Sequence, residues 1–533
     1  MSYVLKTNIL TQFGVVICFI IIFWNYLTFD NVGEKQLLVY FLLLLLSSCL
    51  IFLLKKRLLR IIWTFLFSLF YGVLVFVEYI HSQLFNTNIT TSTISIFFET
   101  NANEAAEFLE NYFEKSHFVI GALILMSIVI GIIASFKKVK KNRFSTSREK
   151  ISVLSTIITS VVIIGSIMTF KEQFLPYRVI QVLGFYESQK ALLDAVSVTP
   201  NGNFTNTIHN SENDQEVYVV VIGESTTRDH MSLYNYYRDT NPLLGKRQDE
   251  LLIYNDVISP HTHTITSLGK MLTLGDYDIP EKKYNSTVVQ LFNNVGFGTY
   301  WISNQRPMGI YETSTSIISR QSDTSIFTDV SEGSLDEKVL KPLKKVLNKK
   351  DDKKFIVIHL MGTHVSYHRR YPEQYDLFKN EPKTQFRNEN AYKSINEYDN
   401  AVLYNDYIVN EIIASIETEQ LKSFVIYLSD HGEEVYQTLN MSGHLEEEGS
   451  KPMYDVPFLL WRSEKYLLDN KKLVFDVNRP YTLEHFIHTL AELSDIQFDG
   501  LNVKNSLVSP KFENSERLIS KKGTYEETFC ENQ

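Results

Sequence analysis

Cysteine is scarce in this sequence. Only three occur in 533 residues: Cys18 and Cys49 lie in apolar runs, and Cys530 lies in a polar stretch. The polar part of the chain therefore has no disulfide framework, and a zinc site built from cysteine thiolates is excluded.

An excess of basic residues is also missing. The formal net charge is −9, so nothing in the composition indicates nucleic-acid binding. The sequence has no internal repeat and no low-complexity tract. Its average composition hides two different parts, because residues 1–170 hold long apolar runs and residues 171–533 are polar and charged. A chain of this length predicts two or more domains.

The first part predicts a transmembrane domain over residues 1–170. Five apolar segments there are each close to the roughly 20 residues that span a bilayer. They are Ile9–Leu27, Leu37–Leu54, Ile61–Ile80, Phe118–Phe136 and Ile151–Phe170. The first is not a cleavable signal peptide, because no small-residue cleavage site follows it and four more spans do.

Basic residues predict the orientation of these spans. They follow the second and the fourth span: Lys55, Lys56, Arg57, Arg60, Lys137, Lys138, Lys140, Lys141, Arg143 and Arg148. Since loops rich in Lys and Arg stay in the cytoplasm, the amino terminus is predicted inside and everything after Phe170 outside. The sequence thus predicts a multi-pass inner-membrane protein with a large external domain.

The loop His81–Ser116, between the third and fourth spans, is predicted to lie outside as well. Its apolar positions recur at helical intervals with acidic residues between them, which predicts a helix near residues 92–113. A helix in the membrane interface and a helical lid on the external domain explain this pattern equally well.

After a predicted polar connector at residues 171–215, marked by Pro176, Pro200 and Gly202, strand and helix patterns alternate. Besides the strand that opens at Glu216, the predicted strands are Leu251–Ile258, Phe297–Ile302, Lys354–Met361, Ser423–Ser429 and Asp455–Trp461. The predicted helices are Ser286–Asn294, Glu337–Leu347, Asn396–Ile416 and Leu483–Leu493. This alternation predicts an α/β domain over residues 216–533, with a mostly parallel sheet covered by helices on both faces.

The stretch Glu216–Pro242 organises this external domain. It opens with a β-branched run up to Ile222, which suits a buried parallel strand. Gly223 ends the strand, and Glu224 follows at its carboxyl end, where open α/β sheets bind ligands. An ordinary strand-to-helix turn capped by Ser225 explains the same residues.

Other strand ends supply histidines and a second acid. The residues concerned are His359, His364, Asp430, His431 and His444. Carboxylate oxygen and imidazole nitrogen together are ligands that zinc accepts. An isolated histidine is more often a satisfied turn or surface residue, but several of them beside Glu224 and Asp430 predict a bound cation.

The stretch after Ile258 offers three candidate nucleophiles, Thr262, Thr264 and Thr266. Thr264 falls in the first turn of a predicted helix, where backbone N–H groups favour an anion. A threonine hydroxyl needs a metal or a base to become nucleophilic, and each of the three is also a plausible helix cap. The residues alone do not choose among them.

Several motifs together resemble one known family. They are GESTTR (Gly223–Arg228), YYRDTNP (Tyr236–Pro242), a threonine at a helix start, IHLMGTH, LSDHGEE and GH. In this order they resemble the phosphoethanolamine transferases of Gram-negative bacteria, which belong to the alkaline phosphatase/sulfatase superfamily. The resemblance covers nearly the whole chain and implies a five-helix transmembrane domain followed by a periplasmic catalytic domain, an α/β/α sandwich, at residues 216–533.

The resemblance also implies roles for single residues. The zinc ligands of the family match Glu224, Thr264, Asp430 and His431. Its catalytic residues match Thr264, the nucleophile, with His364 and His444 at the phosphate group or at a second zinc. Its substrate contacts match Thr100, Glu104, Asn304 and His359.

Three departures from the family pattern bear on the substrates. Ile96 stands where a donor-contacting Asn is expected, and Met308 stands in place of a lysine near Asn304. Pro260 stands where lipid A-modifying members carry a cysteine. With its few cysteines, the chain resembles the branch that decorates the lipopolysaccharide core.

The implied reaction moves phosphoethanolamine from phosphatidylethanolamine to a lipopolysaccharide acceptor, a core heptose before lipid A. A sulfatase would need Cys or Ser in a C/S-x-P-x-R signature, which is missing around Thr264. A glycerol-phosphate polymerase shares the five spans and the threonine but fits Thr240–Pro242 and Ser429–Glu433 less well. A non-catalytic membrane scaffold is disfavoured by the retained set of ligands.

Overall fold

The computed structural model of the chain describes residues 12–28, 33–54, 56–85, 88–91, 93–94, 97, 109, 113–136, 146–195, 201–211, 215–277, 285–305, 314–328, 335–446, 449–469, 472–519 and 523–530. The described residues up to Glu187 form one compact unit, and those from Ser188 onward belong to a second. Most of the helix predicted near residues 92–113, including Thr100 and Glu104, lies outside the described residues.

The first unit has helices at all five predicted positions. They run Phe13–Thr28, Glu34–Leu53, Arg57–Phe85, Lys115–Ser135 and Thr146–Thr169. The second, third and fourth are long and apolar enough to cross a membrane, whereas Phe13–Thr28 and the apolar segment Val153–Thr169 are shorter. The unit is therefore a transmembrane domain, and a count of five crossings stays a prediction.

Glycines let these helices approach closely. A Cβ atom on Gly72 would lie 2.9 Å from Cγ2 of Ile124, and one on Gly14 would lie 3.1 Å from Cα of Ile128. Small residues at helix contacts are typical of membrane proteins, because apolar side chains gain nothing there by leaving lipid. Large apolar side chains such as Phe118 are instead exposed on the outer faces of the helices.

The stretch 171–215 is only partly an irregular connector. It contains a 3₁₀ turn at Lys171–Gln173, an α-helix at Leu175–Ala195 and a short strand at Ile208–His209 that pairs with Ile496–Gln497. In the sequence, Pro176 marks the predicted connector, but in the structure it is the second residue of this helix. Proline is tolerated in the first helical turn, whose N–H groups have no partner within the helix.

The second unit is organised around a seven-stranded sheet. We number its strands in chain order as β1 Glu216–Gly223, β2 Leu251–Ile253, β3 Gly298–Ser303, β4 Thr324–Phe327, β5 Lys353–His359, β6 Lys422–Ser429 and β7 Phe458–Arg462. Their spatial order is β2-β7-β6-β1-β5-β3-β4. The strands from β6 to β4 are parallel, and β7 is antiparallel to both β6 and β2. The predicted, mostly parallel sheet is confirmed.

Strand β1 is buried on both faces, as its run of apolar residues requires. Its even-numbered side chains from Tyr218 to Ile222 pack with the helices Val288–Asn294 and Phe486–Leu493. Its odd-numbered side chains pack on the other side with the helices Leu340–Leu347 and Glu389–Glu417. Helices therefore cover both faces, which confirms the α/β/α sandwich.

Some predicted bounds differ from the observed ones. The predicted strand Leu251–Ile258 divides, since Val257–Ile258 pairs with Tyr481–Thr482 outside the main sheet. Asp455 lies before β7, where its carboxylate is 3.1 Å from the guanidinium of Arg228. Short 3₁₀ turns, Asp336–Val339 and Leu483–His485, occupy the first residues of two predicted helices, and the α-helices begin only at Leu340 and Phe486.

Further short elements complete the second unit. The edge strand β4 was not predicted, because its four half-buried residues make no apolar pattern. A small hairpin pairs Glu434–Val435 with Ser442–Gly443. The remaining α-helices are Pro242–Lys246, Thr264–Met271, Ser314–Arg320, Lys451–Tyr454, Glu464–Asp469 and Tyr525–Phe529.

Candidate active site

The carboxyl ends of β1 and β6 bring three candidate ligands together. These strands are parallel neighbours with Gly223 opposite Ser429, so the residues that follow them, Glu224 and Asp430, meet at one edge of the sheet. Ligand atoms of Glu224, Asp430 and His431 lie within 4.8 Å of one another, and all three side chains are buried. The arrangement follows from the parallel pairing.

The cluster has too few hydrogen-bond donors. Nδ1 of His431 lies 2.8 Å from the carbonyl oxygen of Gly432, to which it donates. Its Nε2 faces Oε1 of Glu224 at 3.2 Å and Oδ2 of Asp430 at 3.6 Å. Within the described residues, Oδ2 of Asp430 and Nε2 of His431 have no hydrogen-bond partner. Buried acceptors that converge in this way are costly unless a cation lies among them, and two carboxylates with one imidazole fit zinc.

The pKa values of the cluster also indicate a place for a cation. Burial, aided by the charge of Glu224, raises the pKa of Asp430 to about 7. Burial opposes a charge on His431, yet the carboxylates of Asp430 and Glu224 raise the pKa of its imidazole to about 10. Burial would also raise the pKa of Glu224, but the imidazole of His431, 3.2 Å away, holds it well below its usual range. A proton on this imidazole thus balances the carboxylate charge, which is the role that a metal ion would have there.

Two side chains hold Glu224 in place. Oγ of Ser225 donates to Oε1 at 3.1 Å, and Nε2 of Gln305 donates to Oε2 at 3.0 Å. Ser225 has a left-handed backbone with φ 55. Its N–H donates to Oδ1 of Asp430 at 3.2 Å, and the hydroxyl of Tyr398 donates to its carbonyl at 2.7 Å. Such a strained backbone persists where surrounding contacts fix it, often at functional sites.

Thr264 is the candidate threonine that faces the cluster. It is the first residue of the helix Thr264–Met271, as its sequence position predicts. Its Oγ1 lies 3.1 Å from both Oε1 and Oε2 of Glu224 and donates to this carboxylate. The helix start therefore presents a hydroxyl to the edge of the ligand cluster.

The other two threonines are engaged elsewhere. Thr262 is buried, and its hydroxyl donates to Oε2 of Glu446 at 3.0 Å. The hydroxyl of Thr266 donates to the carbonyl of His263 at 3.3 Å. The structure thus distinguishes three hydroxyls that the sequence leaves equal.

Two further histidines lie near the cluster. His364 follows β5, and burial lowers its pKa to about 4. Nδ1 of His444 lies 2.8 Å from Oε2 of Glu433, and its ring centroid is 4.4 Å from that of His431. Ligand atoms of His431, Glu433 and His444 also lie within 4.8 Å of one another. This geometry offers a place for a second cation or for a phosphoryl oxygen beside the first group.

His359 and Asn304, predicted substrate contacts, make their described contacts with the protein itself. His359 ends β5, is 2% exposed and packs its ring 6.1 Å from that of Trp301. Asn304 donates to Asp336 at 2.8 Å and accepts from the hydroxyl of Thr328 at 2.7 Å. These contacts support the walls of the site, and a substrate role for either residue stays a prediction.

The turn after β5 fits tightly against Glu224. Gly362 has φ 55, and a Cβ atom there would lie 2.6 Å from the backbone nitrogen of Glu224, so a side chain does not fit. The carboxylate of Asp336 accepts the N–H groups of Met361 and Gly362 at 2.8 and 2.9 Å. This buried acid therefore fixes the turn that leads to His364.

Four of the residues described above are missing from the sequence-based site: Gln305, Asp336, Glu433 and Glu446. Gln305 and Asp336 carry no signal, because a single amide or acid in a loop is common. Glu433 and Glu446 each follow a candidate histidine by two residues. This spacing is the sequence signal that could have indicated them as site residues.

Known proteins resemble this chain in sequence and in fold. Residues 216–496 match the sulfatase family. The phosphoethanolamine transferase EptC of Escherichia coli (strain K12) is 31% identical over 466 residues, which cover 82% of this chain and 80% of that protein. The crystal structure of the C-terminal periplasmic domain of Escherichia coli EptC in complex with zinc is 35% identical with a TM-score of 0.58, over 60% of this chain and 95% of that domain.

A structure of a membrane protein extends the likeness to both units. The lipooligosaccharide phosphoethanolamine transferase A (EptA) of Neisseria meningitidis has a TM-score of 0.65 and is 19% identical, over 94% of this chain and 97% of that protein. This likeness shows a shared fold. The match to the sulfatase family and the identity to EptC over most of both chains show that this chain is a member of the phosphoethanolamine transferase family, sulfatase-like enzymes with a transmembrane domain.

Proposed function

We propose that this chain transfers phosphoethanolamine from phosphatidylethanolamine to a lipopolysaccharide acceptor, with Thr264 as the covalent nucleophile. The observation that carries the proposal is the contact of the Thr264 hydroxyl with both oxygens of Glu224, at 3.1 Å each. A hydroxyl at a helix start beside a ligand cluster is placed to attack a phosphorus atom. Membership of the family supplies the nature of the group transferred.

Zinc is the proposed cofactor, held by Glu224, Thr264, Asp430 and His431. The unpartnered oxygen of Asp430 and nitrogen of His431 support this assignment, as does the zinc in the related EptC domain. One ion is expected there, and the group His431, Glu433 and His444 is compatible with a second. When bound, zinc lowers the pKa of the threonine hydroxyl and offsets negative charge on the phosphoryl oxygens.

In the first step, Oγ1 of Thr264 attacks the phosphorus of the donor. Its hydroxyl hydrogen passes toward Glu224, to which it already donates. A bond forms between Oγ1 and phosphorus, and the bond from phosphorus to the glycerol oxygen breaks. The glycerol oxygen takes a proton from His444, or from His364 if the negative charge of the bound phosphate raises its lowered pKa, and leaves as diacylglycerol.

In the second step, the acceptor oxygen attacks the same phosphorus. The proton of the acceptor passes to the histidine that gave one in the first step, the bond to Oγ1 breaks, the modified acceptor leaves, and Thr264 regains its proton from Glu224. Asn304 and His359 are proposed to support substrate binding from the wall of the site. Thr100 and Glu104 are proposed to hold the donor lipid; they lie outside the described residues, and the proposal for them rests on the resemblance of Glu99–Ala105 to the family.

The proposed location is the inner membrane, with the catalytic domain in the periplasm. Both proposed substrates are anchored in lipid, which explains why the catalytic domain follows transmembrane helices. A reporter active only in the periplasm should work when fused after Gln533, and a reporter active only in the cytoplasm should work when fused at Lys141. This result follows from the basic residues after the second and fourth spans. Cytoplasmic activity of the fusion after Gln533 would contradict the assignment.

The proposed acceptor is the lipopolysaccharide core, with a heptose favoured over lipid A. The support is the scarcity of cysteine, since Cys530 is the only one from residue 171 to 533. Cells that carry the chain should gain one phosphoethanolamine mass on the core oligosaccharide, compared with cells that lack it. Mass spectrometry of core and lipid A measures this directly. Additional mass on a lipid A phosphate, with raised polymyxin resistance, would refute the choice of acceptor and leave the chemistry intact.

A further inference from the structure

A single carboxylate, that of Glu446, contacts all three residues that precede Thr264. Its Oε1 lies 2.6 Å from Nδ1 of His261, and its Oε2 lies 2.7 Å from Nδ1 of His263. Oε2 also accepts the N–H and the hydroxyl of Thr262, at 2.9 and 3.0 Å. Glu446 is 6% exposed, so water competes little for these bonds.

These contacts are separate from the ligand cluster. In the part of the chain that the structure describes, Glu446 has no hydrogen bond or ion pair to Glu224, Asp430 or His431. The two imidazoles meet different oxygens of Glu446 at hydrogen-bond distance and do not form one of the convergent metal-binding groups. The arrangement is therefore a set of hydrogen bonds and ion pairs that shapes the loop.

The loop depends on such contacts because the nucleophile helix has no side-chain cap. His263 is the residue before its first turn, and its side chain makes no capping bond. A side-chain cap at this position usually stabilises a helix start. Here the contacts of the residues that precede the helix set the direction of its first turn instead. On the other side of His261, Nε2 lies 3.2 Å from the hydroxyl of Tyr277.

We propose that Glu446 is a positioning residue for the nucleophile. By holding His261, Thr262 and His263, it sets the distance between Oγ1 of Thr264 and Glu224. It lies two residues after His444, so it also fixes the nucleophile relative to the loop that carries this histidine. The inference rests on the proposed role of Thr264 and adds to it a residue that touches neither metal nor substrate.

The test uses the full chain in detergent with phosphatidylethanolamine and measures the release of diacylglycerol in a single turnover. Displacing a reacting group by about 1 Å costs on the order of 100-fold in rate, so Glu446→Ala should slow release by about 10- to 100-fold. The donor concentration for half-maximal rate and the zinc content should match those of the wild type. Adding Thr262→Val to Glu446→Ala should cost little more, because both changes remove one shared contact.

Glu216→Gln is the matched control. Glu216 is also a buried carboxylate paired with an imidazole, at 3.1 Å from Nε2 of His209, but it opens β1 at the end opposite to the site. This variant should keep the wild-type rate. If Glu446→Ala fails to fold, Glu446→Gln decides, because its amide oxygen still accepts from Thr262 while the bonds to the two imidazoles are weakened; it should be several-fold slower than the control.

Three results would overturn the inference: wild-type rates in the Glu446 variants, loss of zinc in parallel with rate, or an equal loss in Glu216→Gln. Thr264→Ala in the same assay tests the proposed nucleophile separately from the role of Glu446. If Thr264→Ala still releases diacylglycerol, the proposed function fails. If it does not, and the Glu446 variants behave as wild type, only the role of Glu446 fails.

Discussion

Thr264→Ala should abolish phosphoethanolamine transfer. Within the described residues, the only other hydroxyl that donates to the carboxylate of Glu224 is that of Ser225, which follows Glu224 in the chain. Removing a covalent nucleophile should therefore cost at least about 1,000-fold in rate. The protein should stay folded, since losing one partly buried hydroxyl costs on the order of 1–2 kcal/mol.

The intermediate provides the more direct measurement. Wild-type protein incubated with phosphatidylethanolamine alone should gain the mass of one phosphoethanolamine on the peptide that contains Thr264, and Thr264→Ala should gain none. Thr266→Ala is the control, because its hydroxyl bonds only within its own helix; it should keep its activity and its adduct. An adduct on Thr262 or Thr266, or an active Thr264→Ala protein, would refute the choice of nucleophile.

Asp430→Asn should remove both zinc and activity. An amide supplies a neutral oxygen and an N–H group in place of the carboxylate, so the buried set of ligands loses a charge that balances the cation. Zinc per chain, measured by elemental analysis, should fall from stoichiometric to near zero. A chelator should likewise inactivate the wild type, and added zinc should restore it.

Thermal stability separates loss of metal from loss of fold. A ligand present at 100 times its dissociation constant stabilises the native state by about 2.7 kcal/mol, so zinc should raise the melting temperature of the wild type and not that of Asp430→Asn. Without zinc, Asp430→Asn should be no less stable than the wild type, because it removes one of two buried carboxylates that face each other. Asp336→Asn, a buried acid outside the cluster, should retain zinc. Stoichiometric zinc in Asp430→Asn would contradict the ligand assignment.

The placement of Glu224 beside Asp430 follows from reading the sequence as parallel strands. The apolar run from Val217 to Ile222, followed by Gly223, predicts a buried parallel strand, and ligands gather at the carboxyl ends of such strands. The second run ends in Ser429 and is read in the same way. The pattern of apolar residues thus predicts that Glu224 and Asp430, which are far apart in the chain, lie close together.

Gln305 and Asp336 could not be found by this reasoning. Both reach the site from loops, and a loop conformation depends on contacts made after the sheet has formed. Nothing in the residues around Gln305 indicates that its amide donates to Glu224. The sequence likewise does not indicate that His261 and His263 both pair with Glu446.

The choice of Thr264 shows a different limit. Three threonines at alternate positions give the same sequence pattern. Helix propensity does not show which of their hydroxyls faces the ligand cluster. The resemblance to a family selected one of them, and the packing of Thr262 against Glu446 supplies the physical reason. The sequence does not show which residue each hydroxyl contacts.

The position of β1 at the centre of the sheet has a consequence for how the protein folds. Its neighbours β5 and β6 come much later in the chain, and the contact between Ser225 and Asp430 joins residues 205 positions apart. Contacts this distant close large loops, and their entropic cost slows folding. Until β5 and β6 have emerged, β1 lacks both of its neighbours in the sheet and is apolar on both faces. During that interval it is prone to aggregate, so the strand on which the site depends is also one that a nascent chain must keep protected.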